Sequence, residues 1–498
     1  MLNKRAYSYL LVILALALIL RIYFSFQSGY FSSDEAYFNI RHTQYILDNA
    51  KPMTYDELSY SGRQIQYPPL FHYLLAVFSL IFPIAMVAKI LPALFAVAIS
   101  FVIYLISYEM TKDNVAALFS ALFSAFIPIF FQRTLNSASV YSLAILMFFL
   151  MIYCLIKLRE ERAYLVYFVF LSILFPLTHP VSFLFLLSLL IYSLTLVSEN
   201  LIIRRTLKEA IIFSTLSILF IQFLIFRKSF LANGPSILWQ NIPQYVLDMQ
   251  LNNFSLTQSI YSIGILSSIF GAIAILLIVF TSRKDSHIMI VSVVLSTLAS
   301  ILMRLISLED GLLFLSLTLA LLSSISISKL LSYLDITKIA SKKSYVIYSI
   351  VFLSLISFVV PSIFAARDVM ASVPEKIDIE ALEWIGNNLE GDLVIAARPE
   401  EGNLVSYYTG KKNVADEYYV LAPDTERRLQ SLESIYKTGS EFEALDIAQS
   451  YNIDIVFISE KTKSAYNIDD LAYLPGVRKC FDRRKYDDFA KIYQVRKC

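Results

Sequence analysis

The chain has 498 residues, of which 57% are hydrophobic and 16% are charged. An ordinary soluble domain is about 25% charged, and lipid-facing surface explains such a deficit over this length better than core burial does. The net charge of +2 is uninformative, so nothing in the composition suggests a nucleic-acid partner. The three cysteines and four histidines are scattered and show no metal-ligand spacing.

Long apolar runs separated by short polar breaks occupy residues 1–366. A membrane span needs about 20 mostly apolar residues, so each run is a candidate span. A shorter run at 70–83 follows Pro68-Pro69 and suits a re-entrant or interfacial helix. The longer runs lie near 7–26, 86–110, 114–131, 138–157, 163–178, 180–198, 208–227, 258–280, 287–303, 311–329 and 345–365.

Loop charge predicts the topology. If 70–83 does not cross, the basic clusters between the later runs share one side with Lys4-Arg5, as the positive-inside rule requires. We therefore predict a polytopic α-helical membrane protein of about eleven to thirteen spans, with eleven favoured. The N-terminus is expected to be cytoplasmic and the protein to lie in the plasma membrane. The first run ends at Arg21 without a small-x-small site, so an uncleaved span is expected.

The C-terminal part is more polar and alternates strand-like and helix-like segments, which predicts an α/β soluble domain. We expect a membrane domain at 1–366, which carries an outer loop at 27–69, and an outer-face α/β domain at 367–498. Within the latter, helices are predicted at 376–390 and 424–450, and strands at 393–397, 453–459, 477–481 and 490–495.

The outer loop carries two adjacent carboxylates, Asp34 and Glu35, just after the first apolar run. A carboxylate there has the chemistry of a general base or of a ligand to a divalent cation. Adjacent residues of a helix do not share a face, so one of the two is expected to act directly. The alternative is a solvated acidic cap at a helix amino end, where carboxylates are favoured.

The pattern S-D-E-A-Y-F, followed by G-R-Q-I-Q-Y-P-P-L-F-H-Y-L-L-A, resembles the first external loop of GT-C superfamily glycosyltransferases. It is most similar to the catalytic subunit of prokaryotic oligosaccharyltransferases. The Asp-Glu pair also resembles the protein O-mannosyltransferase and aminoarabinose transferase branch. The resemblance implies that Asp34 is catalytic with Glu35 beside it, and that Arg63, Tyr67 and His72 are loop residues on the acceptor side.

The same resemblance implies further site residues. Asp248 matches the acid of the family's third outer loop and would hold a divalent cation, Mg²⁺ or Mn²⁺, together with Asp34. Arg304, Arg133 and Lys228 would stabilise the donor phosphate. Two alternatives stay open: Asp248 as an ordinary solvated loop residue, and Arg304 as an interfacial anchor.

Two segments depart from the family pattern. Residues 128–142 lack the family's acidic ligands, and Arg398–Gly402 stands where the family has its WWDYG motif. The resemblance implies an inverting glycosyltransferase that uses a polyprenyl-phosphate-linked sugar at the outer face. The acceptor is left open as protein, lipid or glycan. The alternatives are a catalytically degenerate relative that acts as a binding module, and a lipid or glycan transporter.

Overall fold

The computed structural model describes residues 4–238, 242–252, 255–281, 284–338, 340–474, 480–484 and 490–496. The described chain is mostly helical. Its α-helices are α1 Lys4–Ser25, α2 Asp34–Asn49, α3 Leu70–Ser79, α4 Ile84–Thr111, α5 Asn114–Ala125, α6 Pro128–Thr134, α7 Tyr141–Lys157, α8 Tyr164–Leu174, α9 Ser182–Ser198, α10 Arg205–Ile225, α11 Arg227–Asn233, α12 Gln244–Asn252, α13 Leu256–Ile263, α14 Ile265–Thr281, α15 Asp285–Leu302, α16 Leu308–Ile336, α17 Lys343–Ser354, α18 Val360–Ala371, α19 Lys376–Asn388, α20 Gly402–Thr409, α21 Thr425–Lys437, α22 Glu441–Ser450 and α23 Glu460–Tyr466. A π-helical turn, Leu355–Val359, joins α17 to α18.

The prediction of a multi-pass helical membrane protein is confirmed. Within the described residues, six helical stretches are long and apolar enough to cross a bilayer. They are Lys4–Ser25, Ile84–Thr111, Arg205–Ile225, Asp285–Leu302, Leu308–Ile336 and the composite Ala340–Asn388. Two bent pairs, α5 with α6 at 46° and α13 with α14 at 90°, raise the number to eight if each pair is one span.

The predicted runs at 138–157, 163–178 and 180–198 form the shorter helices α7, α8 and α9. These helices have 17, 11 and 17 residues, so length alone does not qualify them as full spans. The predicted total of eleven to thirteen therefore exceeds the six to eight that meet the length criterion. Helix α3 has 10 residues, which fits the expectation of a short non-crossing helix after Pro68-Pro69.

The chain divides into two compact units. The membrane unit comprises Met1–Gln27, Tyr67–Trp239 and Leu247–Ala371, and the α/β unit comprises Ser28–Gln66, Gln240–Val246 and Ser372–Cys498. The prediction grouped the loop 27–69 with the membrane domain and began the C-terminal domain at residue 367. The structure instead assigns most of that loop to the α/β unit. The loop's buried ionic side chains are the physical reason, because they find their partners within that unit, as Arg63 does at Asp416.

The α/β unit contains two sheets. A two-stranded antiparallel ribbon, β1 Tyr55–Asp56 and β2 Arg63–Gln64, lies in the loop segment. The larger sheet has the order β4-β3-β5-β7-β6, with strands β3 Val394–Ala396, β4 Lys412–Asn413, β5 Ile455–Ile458, β6 Phe481–Arg484 and β7 Lys491–Val495. Strands β4, β3 and β5 are parallel, whereas β7 is antiparallel to both β5 and β6.

The core of the α/β unit explains these elements. Every residue of β3 and β5 is buried, as expected for parallel strands covered on both faces. Helix α21 buries Leu429, Leu432, Ile435 and Tyr436, which share one helical face. The Tyr436 hydroxyl lies within hydrogen-bond distance of backbone carbonyls in β3 and β5, at 3.1 and 3.0 Å. The predicted C-terminal α/β domain is therefore confirmed as a fold, although the predicted helix 424–450 is two helices.

Candidate functional site

Asp34 is buried and hydrogen-bonded to the amino end of α20. Its Oδ1 accepts the backbone N–H of Leu404 at 2.9 Å. Its Oδ2 accepts the backbone N–H of Asn403 at 3.2 Å and the Asn403 side-chain Nδ2 at 2.7 Å. A carboxylate is well placed there, because the first amides of a helix lack intrahelical partners and carry partial positive charge.

The sequence explains why α20 can receive this carboxylate. Helix α20 begins at Gly402, and a Cβ atom at that position would clash with the backbone oxygen of Ala415. Only glycine permits this close approach of two backbone segments. Without it, the amino end of α20 would shift away from the segment that follows β4.

The strand order of the larger sheet also points to the amino end of α20 as a candidate site. Strand β3 has parallel neighbours on both sides, β4 and β5, and the chain runs from β3 through α20 to β4. Such a reversal of strand order opens a crevice at the carboxyl ends of the strands, where open α/β sheets bind ligands. In this unit the carboxylate of Asp34 caps the helix that starts there.

The environment of Asp34 raises the pKa of its carboxyl group. Burial and the nearby charge of Asp416 raise the pKa of Asp34 to about 7, against the opposing effect of the hydrogen bonds from Asn403 and Leu404. A carboxyl with a pKa near 7 is suited to exchanging protons at neutral pH. Glu35, the neighbouring candidate, is half-buried.

Two buried ion pairs fix the loop segment around Asp34. Arg41 contacts Asp56 through both terminal nitrogens, at 2.9 and 2.6 Å, and Arg63 lies 3.2 Å from Asp416. The Arg41 Nη2 atom also donates to the side-chain oxygen of Asn403 at 3.2 Å. Arg63, predicted as an acceptor-side residue, therefore has a structural contact within the α/β unit.

The segment Arg398–Gly402, where the resemblance would require WWDYG, has its own buried acid. Glu401 accepts hydrogen bonds from Ser459 Oγ at 2.6 Å and Thr462 Oγ1 at 2.9 Å. Arg398 forms an ion pair with the neighbouring acid Glu400, at 3.1 Å. These contacts tie the segment to the amino end of α23.

The remaining predicted residues lie in the membrane unit. Arg304, which follows α15, forms an ion pair of 3.6 Å with Asp248, and both side chains are about half exposed, at 44% and 55%. The structure therefore brings together the predicted phosphate ligand and the predicted metal ligand. Arg133 pairs with Asp310 at 2.8 Å and with Glu309 at 3.3 Å.

Lys228, Tyr67 and His72 complete the predicted set. Lys228 is exposed on α11. Tyr67 and His72 are buried, and their rings are in contact with centroids 4.7 Å apart. Their assigned roles at the phosphate and the acceptor stay predictions.

The chain is similar to known proteins in one family model and in several solved structures. Residues 8–137 match the family model described as Oligosaccharyl transferase STT3, N-terminal. No curated protein matches the chain by sequence. Among solved structures, the chain is similar to the Archaeoglobus fulgidus oligosaccharyltransferase AglB, determined with an inhibitory peptide and a dolichol-phosphate. The identity is 14%, the TM-score is 0.71, and the alignment covers 96% of this chain and 72% of that one.

Two further structures match over nearly the whole chain. ArnT from Cupriavidus metallidurans, bound to undecaprenyl phosphate, has 12% identity and a TM-score of 0.57, with 98% of both chains covered. The mycobacterial arabinofuranosyltransferase AftD has 15% identity and a TM-score of 0.57, with 100% of this chain and 40% of AftD covered. All three are membrane glycosyltransferases. This chain has the GT-C fold.

The GT-C fold raises the question of a metal ion, since an A. fulgidus oligosaccharyltransferase was also crystallised with Zn and sulfate. The two predicted ligands, Asp34 and Asp248, each contact another side chain, Asn403 and Arg304 respectively. Over the described residues, no group of three or more His, Cys, Asp or Glu side chains is placed to hold a metal ion. Mg²⁺ and Mn²⁺ need several oxygen ligands at once, so the metal-binding role of Asp34 and Asp248 stays a prediction.

Sequence reasoning missed three residues of this GT-C chain. Asn403 bonds Asp34, Asp416 receives Arg63, and Asp310 receives Arg133. Asn403 follows Gly402 at the amino end of α20, the first α-helix after the buried strand β3. That position was a usable signal, because helix amino ends at such places bind anions. Asp416 and Asp310 carried no local signal, since each is recognised only by a partner far away in the sequence.

Proposed function

We propose that this protein is an inverting membrane glycosyltransferase. It transfers a sugar or oligosaccharide from a polyprenyl-phosphate-linked donor to an acceptor at the outer face of the plasma membrane. The observation that carries the proposal is Asp34, a buried carboxyl with a pKa near 7 inside the segment that matches STT3. The polyprenyl phosphates bound to AglB and ArnT support this class of donor.

The proposed step needs a base and a leaving group. Asp34 takes the proton of the acceptor hydroxyl or amide as that oxygen or nitrogen forms a bond to the anomeric carbon. The bond from the anomeric carbon to the phosphate oxygen breaks on the opposite side, and the polyprenyl phosphate or diphosphate leaves. Positive side chains stabilise the leaving anion. Lys228 and Arg304 suit this role better than Arg133, because Arg133 is held by Asp310 at 2.8 Å and by Glu309 at 3.3 Å, whereas the pair of Arg304 with Asp248 is longer, at 3.6 Å.

No step of the proposal passes through a metal ion. Dependence on Mg²⁺ or Mn²⁺ is measured directly by assaying turnover before and after EDTA treatment and after each ion is added back. The acceptor, whether protein, lipid or glycan, is likewise identified by the product.

Cys480 supports the outer placement of the α/β unit. It is disulfide-bonded, and disulfides persist mainly in oxidising compartments. Cys498, the other cysteine in the C-terminal part of the chain, lies outside the described residues. The basic loops predicted on the opposite side agree with the same topology.

The experiment uses the purified full-length protein with a polyprenyl-phosphate-linked sugar and follows release of the lipid phosphate. Asp34→Ala and Asp34→Asn should each lower turnover by at least about 100-fold, the scale of a lost general base. The matched control is Asp48→Asn, an exposed aspartate on the same helix α2, which should keep wild-type turnover. Wild-type turnover in both Asp34 variants would contradict the proposed role.

A second function, a binding module without catalysis, has one observation in its favour. Three N–H groups hold Asp34 as a cap of α20, which is a sufficient structural reason for a carboxylate there. A purely structural Asp34 predicts that its variants unfold at lower temperature and that the wild type turns over no donor. A catalytic Asp34 predicts wild-type turnover that is lost in folded variants.

A further inference from the structure

Five aromatic side chains of the α/β unit lie together near the amino end of α2. Tyr37 is the central one, and its ring centroid lies 6.0 Å from that of Phe31, 5.6 Å from that of Tyr407 and 5.8 Å from that of Tyr408. The rings of Tyr407 and Tyr408 are perpendicular at 5.0 Å, and Tyr30 lies 6.4 Å from Tyr408. Tyr37 is buried, whereas Tyr30, Tyr407 and Tyr408 stay partly exposed. We call these three partly exposed rings the tyrosine platform.

The tyrosine platform is held in place by two neighbouring helices, α2 and α19. Helix α2 contributes Tyr37, whose hydroxyl group is hydrogen-bonded to that of Tyr408. Helix α19 packs so closely that a Cβ atom at Gly386 would lie 3.1 Å from the backbone oxygen of Tyr408. The rings are therefore fixed by packing before a ligand arrives, which reduces the conformational entropy that binding would cost.

The tyrosine platform lies about one helical turn from the carboxyl group of Asp34. Tyr37 follows Asp34 by three residues on α2. On α20, Tyr408 follows by four residues Leu404, whose backbone N–H binds Asp34. Residues so spaced share a helix face and are displaced by about 5 Å along it, which is close to the width of one sugar ring. A sugar whose anomeric carbon reacts beside Asp34 can therefore reach the platform with its own ring.

The chemistry of the tyrosine platform fits a carbohydrate. The face of an aromatic ring carries partial negative charge, and the C–H groups on one face of a sugar ring are its positive counterpart. Charged groups lie nearby for the sugar hydroxyls, because Glu383 interacts electrostatically with Tyr408 and Lys376 with Tyr30. Aromatic surface combined with a few polar groups is the usual composition of a small-molecule site.

We propose that the tyrosine platform binds the first sugar of the polyprenyl-linked donor by stacking. Of the two substrates only the donor must contain a sugar, so the platform is assigned to the donor. This inference rests on the proposed glycosyltransferase function, and it names the residues of the α/β unit that recognise the donor's sugar. The alternative is an aromatic core that only packs α2 against α20. The two differ in a measurable quantity, the affinity that the sugar adds to the lipid.

The test compares Tyr408→Leu and Tyr408→Phe with the wild type in ligand binding. Purified full-length protein is titrated with undecaprenyl phosphate alone and with undecaprenyl phosphate that carries mannose, glucose or N-acetylglucosamine, and Kd is measured by native mass spectrometry. Leucine keeps apolar volume but removes the aromatic face, so Kd for the sugar-bearing lipids should rise about 3- to 10-fold. Kd for undecaprenyl phosphate alone should not change. Phenylalanine keeps the face, so both Kd values should stay within about 2-fold of the wild type.

The comparison separates sugar binding from a packing role. If Tyr408→Leu only loosens the packing of α20, Kd should rise equally for the bare and the sugar-bearing lipids while Tm falls. Equal changes for the two kinds of lipid would overturn the proposal, and so would a wild type that binds them equally. If Tyr408→Leu does not fold, Tyr30→Leu replaces it, because Tyr30 precedes α2 and contacts the ring of Tyr408. The same outcomes then decide.

Binding and turnover together distinguish this inference from the proposed function. A wild type that binds the sugar-bearing lipids more tightly but releases no lipid phosphate sustains the platform and refutes only the glycosyltransferase function. Wild-type turnover with an unchanged KM for the donor in Tyr408→Leu refutes only the platform. The matched control is Tyr45→Leu, because Tyr45 is a partly exposed tyrosine about two turns further along α2. That variant should keep the wild-type Kd for every lipid.

Discussion

Arg63 and Asp416 form a buried ion pair, with Nη2 and Oδ1 3.2 Å apart and side chains 2% and 0% exposed. Asp416 also accepts Ser59 Oγ at 2.6 Å and the backbone N–H of Tyr418 at 2.9 Å. Arg63 donates further to Ser59 Oγ at 2.7 Å. The pair is thus fully hydrogen-bonded, which is the condition under which a buried charge is tolerated.

Removing the cation of this pair should be costly. Arg63→Met leaves Asp416 charged, buried and without its cation, so we expect a loss of about 3–5 kcal/mol. The measurement is thermal or denaturant unfolding of the detergent-purified protein. The control is Lys376→Met, because the pair of Lys376 with Glu380 is exposed and its loss should leave Tm unchanged. Equal Tm values for the two variants would contradict the structural role of Arg63.

The membrane helices and the C-terminal strands were predictable because apolar periodicity and run length depend only on local sequence. The predicted strand at 453–459 became β5, and the predicted helix at 376–390 became α19. The apolar runs at 138–157, 163–178 and 180–198 form α7, α8 and α9, which are shorter than those runs, so length alone does not identify them as full spans.

The site was only partly predictable. Asp34 stood out by its position after the first apolar run, and the structure shows it buried. Its partners Asn403 and Leu404 come from more than 360 residues away, at separations of 369 and 370. No local pattern encodes a contact of that range, and the same limit applies to the contact of Asp416 with Arg63.

Asp378 should make the stability of the protein depend on pH. It is 1% exposed, its Oδ1 has no hydrogen-bond partner among the described residues, and burial with the charge of Glu401 raises its pKa from 3.8 to about 7. A raised carboxyl pKa gives stability at low pH that is lost as pH rises through about 7. Tm should therefore fall between about pH 4 and pH 7 and level off above that range.

Asp378→Asn should reduce that fall. The amide cannot ionise, so the variant should be more stable than the wild type at about pH 8, by a few kcal/mol at most, and nearly equal to it at low pH. We expect the dependence of Tm on pH that remains in this variant to come from Asp34, whose pKa is also raised. Asp446→Asn, an exposed aspartate of α22, is the control and should keep the wild-type slope. An unchanged slope in Asp378→Asn would show that Asp378 does not titrate in this range.

Variants of Arg133 distinguish a role in binding the donor phosphate from a role as a structural cation. Because it pairs with Asp310 and Glu309, we expect Arg133→Gln to lower stability by about 1–2 kcal/mol. Adding Asp310→Asn should recover part of that loss, since the buried carboxylate no longer lacks its cation. The measurement is a double-mutant cycle on Tm. A rise in KM for the donor without any change in Tm would instead favour the predicted phosphate role.

The backbone conformation and the side-chain charge of Arg304 can be tested separately. Its φ of 57° lies in the left-handed region, where a non-glycine residue is strained. Its side chain is 44% exposed, and the ion pair with Asp248 is long at 3.6 Å, so that pair contributes little to stability. Arg304→Gly should therefore raise stability by about 0.5–1 kcal/mol, because glycine adopts this conformation without a Cβ penalty.

The same variant should lower activity if Arg304 binds the donor phosphate. We expect KM for the polyprenyl-linked donor to rise about 10-fold or more in Arg304→Gly, with Tm equal to or above that of the wild type. Arg227→Gly is not a suitable control, since Arg227 begins α11. Arg304→Asn provides a second variant, because asparagine tolerates positive φ and lacks the cation, and it should reproduce the rise in KM. A Tm gain in Arg304→Gly with unchanged KM would assign Arg304 to the membrane interface rather than to the donor.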